Sequence, residues 1–104
     1  MILSTCETVP GREIASVLGL VKGNSVRGRH VGINLMAGLK GAVGGEIPEY
    51  TKLMAESREQ AIDRMVAAAE ALGADAIVGM RITSAEIQQH AAEILVYGTA
   101  VKMR

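Results

Sequence analysis

The side chains in this sequence that could do chemistry are few and scattered. There is one cysteine, Cys6, and there are two histidines, His30 and His90. No CxxC, HxxxH or HExxH spacing joins them, so a divalent metal site would have to be assembled by folding or between chains, with Glu46, His30 and His90 as the candidate ligands. Cys6 could act as a thiol nucleophile if a base stood beside it. Nothing adjacent in the chain supplies one, and within the apolar run "MILSTC" (1–6) a lone cysteine reads as a small buried hydrophobe. "RGRH" (27–30) offers Arg27 to an anion, although its composition suits a solvated loop.

The stretch "GGEIPEYT" (44–51) places glycines ahead of a helix, where free N–H groups can bind an anion. A phosphate loop, however, needs a lysine and then serine or threonine after its last glycine; Glu46 stands there instead and would repel phosphate. Every letter suits a helix start. Gly44 and Gly45 turn the chain, Pro48 occupies a first helical position, and Glu46 and Glu49 complement the positive end of the helix dipole. Any binding or interface role of this stretch falls to Gly44, Gly45, Glu46 and Tyr50.

The elements that must position these residues follow from periodicity and turn chemistry. "MILSTC" reads as a first strand, and "VPGR" (9–12) as a type II turn with glycine at its third position. Residues 14–26 form a longer strand, bent where Gly19 and Gly23 interrupt it. Ile33, Met36, Leu39 and Val43 mark one face of a short helix containing Gly38 and Gly41. From Pro48 to Leu72, the stripe Tyr50, Met54, Ala61, Met65, Ala68 and Leu72 marks a long amphipathic helix that stops at Gly73. "AIVGMRIT" (76–83) alternates, with Ala76, Val78, Met80 and Ile82 on one face and Arg81 and Thr83 on the other. A turn near Gln88–Ala91 leads to a last strand over residues 93–103. The order is ββααββ. It predicts an α+β domain spanning 1–104, a small antiparallel sheet covered on one face by the long helix plus the short one.

Composition excludes several classes. With 104 residues, of which 49% are hydrophobic, the chain makes one domain. It has two tyrosines and no phenylalanine or tryptophan, hence no aromatic platform for stacking bases. Eleven basic residues balance eleven acids, so no overall field draws the protein to nucleic acid or an anionic membrane. The start of the chain has no basic, apolar leader and no run approaches a membrane span, which predicts a cytoplasmic protein.

Taken together, "PGREI", "LGLVKGNSVR", "AGLKGAVGGEIPEYT", "ALGADAIVGMRI" and "EILVYGTAV" resemble the YbjQ-like family, small bacterial and archaeal proteins that carry a heavy-metal-binding label. The resemblance runs nearly end to end. It implies a subunit similar to the dodecin-like class, assembled with copies of itself into a ring, typically a pentamer. It brings no ligand set with it. Three positions depart from the family pattern: Ile33–Asn34 replace an Arg-Asp pair, and Cys6 stands where threonine is usual. The expected function is therefore that of a non-catalytic homo-oligomer binding a heavy metal or small ligand, with Arg27, Asn34, Gly44, Gly45, Glu46 and Tyr50 as interface or ligand candidates. The alternatives are a scaffold for another protein and a hydrolase dependent on Cys6.

Overall fold

The structure is a computed structural model that describes residues 1–28, 48–88 and 91–104. Its elements are β1 (Ile2–Leu3), β2 (Ile14–Gly28), α1 (Pro48–Ala71), β3 (Ala76–Gln88) and β4 (Ala91–Met103). Among the described residues the order is ββαββ; the helix expected around Ile33–Val43 lies outside them. The sheet runs β1-β3-β4-β2.

The sheet is mixed, which corrects the expectation of an antiparallel one. β4 pairs antiparallel with both β2 and β3, whereas β1 lies parallel to β3 with Ile2 opposite Ala76. Side-chain pattern signals that a strand exists but not its neighbour. Here the partner is chosen by backbone bonds, Ile2 N–H to the Asp75 carbonyl (3.2 Å) and Ser4 N–H to the Ile77 carbonyl (2.9 Å). The chain then turns at Val9–Arg12, with Gly11 at φ 82° and Arg12 N–H bonded to the Val9 carbonyl at 3.1 Å, as a type II turn requires.

α1 buries Ser57, Ala61, Met65 and Ala69, a line with one residue per turn, against Val21, Ile77, Ile94, Val96 and Ala100. Close approach is possible because β2 carries Gly23 under the helix; a Cβ there would collide with the Ala61 carbonyl oxygen and the Met65 nitrogen. Arg64 Nη1 donates to the Asn24 carbonyl (2.6 Å) and Ser25 Oγ to Gln60 Oε1 (2.8 Å), which fixes the helix along the strand. The helix ends in a Schellman motif. Gly73 sits at φ 78°, its N–H bonded to the Glu70 carbonyl at 2.9 Å and that of Ala74 to the Ala69 carbonyl at 3.1 Å. Leu72, expected in the buried stripe, is exposed because the chain is already leaving the sheet there.

A second apolar cluster lies on the opposite face, where Ile2, Val9 and Ile14 cover Ala76, Val78, Val101 and Met103. The segment between β1 and β2 thus crosses the open face of the sheet like a strap. The helix lies over β2 and β4 and barely reaches β3, where every residue from Arg81 to Ile87 is exposed.

Candidate functional site

One irregularity of β3 decides which side chains share the open face. Val78 pairs with Thr99 and Arg81 with Tyr97, so three steps along β3 answer two along β4. This is a β-bulge, and Gly79, at φ 63°, supplies the conformation it needs. Met80 consequently packs into the helix-side core while Arg81 joins Val78 on the open face. Strict alternation, which put Val78 with Met80 and Arg81 opposite, fails at this glycine.

The bulge helps to shape a hollow of about 420 Å³ beside the strap. Ile14, Val17, Val78 and Val101 contribute apolar lining; Glu7, Arg81 and Thr99 contribute the polar groups. The strap is held by backbone bonds, Gly79 N–H to the Cys6 carbonyl (2.8 Å) and Met80 N–H to the Ser4 carbonyl (3.0 Å). Within it, Cys6 N–H donates to Ser4 Oγ at 3.0 Å. Arg81 Nη1 donates to the carbonyls of Thr5 (2.7 Å) and Met80 (2.8 Å). A guanidinium has five donors in a rigid fork, so these bonds orient the group and leave further N–H groups for an acceptor. Among the described residues neither Glu7 nor Arg81 is in an ion pair.

At the same end of the sheet Asp75, just ahead of β3, binds β4 through its side chain and β1 through its carbonyl. Its carboxylate accepts the Met103 N–H at 2.8 Å and faces Lys102 Nζ at 3.4 Å. The backbone N–H of Met103, with Lys102 in support, holds its pKa below the ordinary carboxylate value.

Of the residues singled out in the sequence, His30, Asn34, Gly44, Gly45, Glu46 and His90 lie outside the described residues. Arg27 falls near the end of β2 and Tyr50 in the first turn of α1. Cys6 is exposed, contrary to the expectation of a buried strand residue. The reason is that β1 ends at Leu3, and the chain from Ser4 onward is strap, outside any strand. Among the described residues no group of three or more His, Cys, Asp or Glu is gathered where it could hold a metal ion. Nor is any of their helices long and apolar enough to cross a membrane. Sequence reasoning missed the Glu7–Arg81–Thr99 hollow. Its available signal was Gly79 inside an alternating strand, the mark of a bulge.

These features define a small α+β protein, one long helix on a four-stranded mixed sheet with a ligand-sized hollow on the other face. The chain belongs to the YbjQ-like family: the family model described as "Putative heavy-metal-binding" matches residues 1–104. It is similar to a UPF0145 protein of Archaeoglobus fulgidus, 52% identical over 100% of this chain and 96% of that protein. A UPF0145 protein of Vibrio campbellii is 57% identical over 99% of both. Among solved structures, a protein of unknown function from Pediococcus pentosaceus, assigned to the DUF74 family, shares the fold with a TM-score of 0.70 at 16% identity. That match covers 100% of this chain and 98% of the other.

Proposed function

We propose that this chain is a non-catalytic, cytoplasmic subunit that joins copies of itself head to tail into a closed ring, of five subunits as the family resemblance implies, and that the assembly binds a metal ion or small ligand. The observation that carries the reading is the pair of open sheet edges. β2, 15 residues long, has a strand neighbour on one side only, and β3, 13 residues long, is flanked by β1 at Ala76 and Ile77 and bonded by the strap at Gly79 and Met80, which leaves its edge without a strand neighbour from Arg81 onward. Both statements concern the described residues. Unpaired edges of this length pair with other chains unless they are covered, and a heterologous contact that closes on itself makes a ring. Ile82 and Ile87, 46% and 54% exposed, lie on β3, which the helix barely touches, and Val26, 52% exposed, follows the helix-facing Ser25 on β2. The overall extents of 54 × 23 × 16 Å and a radius of gyration of 17.2 Å favour the same reading, because a compact chain of this size has about 13 Å.

The metal half of the proposal takes its support from the family description, with Glu46, His30 and His90 as donors to replace first. Gly44, Gly45, Tyr50, Asn34 and Arg27 are the interface or ligand positions to test beside them. A catalytic role for Cys6 has no support in its surroundings, since among the described residues no acid or base is hydrogen-bonded to its thiol. Native mass spectrometry of the untagged protein, with and without zinc, copper and cadmium, tests both halves. The expected result is a closed oligomer that retains metal in fixed ratio to its subunits after buffer exchange. A single-chain mass would overturn the ring; a metal-free oligomer would overturn the metal.

A further inference from the structure

We propose that the hollow between the strap and the open face of the sheet binds a small zwitterion with an apolar body, the chemistry of an aliphatic α-amino acid. The inference extends the small-ligand part of the function proposed above and does not depend on the ring. Three observations converge on it. At about 420 Å³ the hollow is in the range of ligand sites, which run from roughly 300 to 1,000 Å³ and combine an apolar lining with a few placed polar groups. Its charged groups are of both signs, Glu7 and Arg81, and neither is in an ion pair among the described residues. A ligand with only one charge would leave one of them unanswered.

The third observation is that the backbone is shaped to bring Arg81 there. The bulge at Gly79 departs from strand alternation and carries Arg81 to the open face, and two carbonyls then hold Nη1 in place. Bulges that re-aim a side chain recur beside functional sites. The remaining guanidinium donors suit a carboxylate, which they bind in a fork. Glu7 suits an ammonium group, Thr99 can donate to or accept from either, and Ile14, Val17, Val78 and Val101 receive the aliphatic part.

Isothermal titration calorimetry of the full chain tests this with three probes: L-leucine, 4-methylpentanoate, which lacks the amine, and 3-methylbutylamine, which lacks the carboxylate. L-leucine is expected to bind once per chain and more tightly than either relative. Arg81→Gln should weaken it by about tenfold or more, the loss of a charge-assisted bond. Because that change also releases the strap, Val17→Phe serves as a second variant. It fills the hollow from an exposed strand position and should abolish binding while circular dichroism and native mass stay unchanged. Glu7→Gln should weaken L-leucine but not 4-methylpentanoate, which loses a like-charge neighbour and binds equally or more tightly. Failure of all three probes at millimolar concentration would overturn the proposal, as would L-leucine binding that survives Val17→Phe. Equal binding of L-leucine and 4-methylpentanoate would overturn the zwitterion assignment. L-leucine bound to a single chain would uphold this inference while sinking the ring.

Discussion

Replacing Gly23 with alanine probes the contact on which the helix-on-sheet packing depends. The new Cβ would meet the Ala61 carbonyl oxygen, the Met65 nitrogen and, at 3.0 Å, the Arg64 carbonyl carbon. All three are backbone atoms of one helical turn, so no rotamer change relieves the collision. The helix must move away from β2, loosening contacts around Val21, Ala61 and Met65, each at most 3% exposed. Overpacking a core costs about 1–3 kcal/mol, and an obstacle made of backbone places this case at the upper end, about 3 kcal/mol. For a chain of this length each kcal/mol lowers Tm by about 4–8 °C, so the midpoint should fall by roughly 12–24 °C. Urea titration followed by far-ultraviolet circular dichroism, at one fixed protein concentration, reads the difference. Adding Ala61→Gly should not restore stability, since it removes a side chain and the clash is with the main chain. A Gly23→Ala variant within about 0.5 kcal/mol of the parent, a normal surface-substitution effect, would refute the reasoning, and so would rescue by Ala61→Gly.

Ser57 is buried with its hydroxyl unbonded among the described residues, so Ser57→Ala should be neutral or stabilising by up to about 1 kcal/mol in the same titration; a loss larger than that would show a hidden partner. Asp75 has a folded pKa below its ordinary 3.8, so its contribution to stability is present above pH 3.8 and disappears as pH falls through the lower folded value. The stability gap between parent and Asp75→Asn should therefore close below that pH, and a gap independent of pH would contradict the assignment. Cys6, being exposed, should react with a thiol reagent as completely in the native protein as in the unfolded one. Slow native labelling would show that the assembly covers the strap.

Local signals in the chain were legible where one residue type has one physical use. Pro48 starts α1, Gly73 ends it at positive φ, and Gly11 makes the turn that "VPGR" requires. Gly19 marks a register shift in β2, as a glycine within a strand pattern suggests. The long-range part was not legible. A two-residue strand such as β1 has no periodicity to read, and its parallel pairing with β3 rests on backbone bonds that any side chains allow. The same short strand left Cys6 in the strap. Gly79 was visible, but which residue a bulge displaces depends on β4, and so Arg81, rightly set opposite Met80, was wrongly set opposite Val78. Glu7 and Arg81 are 74 positions apart, and only the strap crossing the sheet unites them at one hollow.

A ring of this kind requires the open edges of β2 and β3 to be joined between copies of the chain. Sedimentation velocity of the parent protein and of an Ile87→Asp variant at micromolar concentration tests it most directly. In a lone subunit, a charge at a residue 54% exposed should change nothing; in an assembly it should disrupt a contact. Edge-to-edge assembly requires a parent species several times the 10.9 kDa chain mass and a smaller species for Ile87→Asp, with far-ultraviolet dichroism retained. A parent protein that sediments as a single 10.9 kDa chain would contradict it.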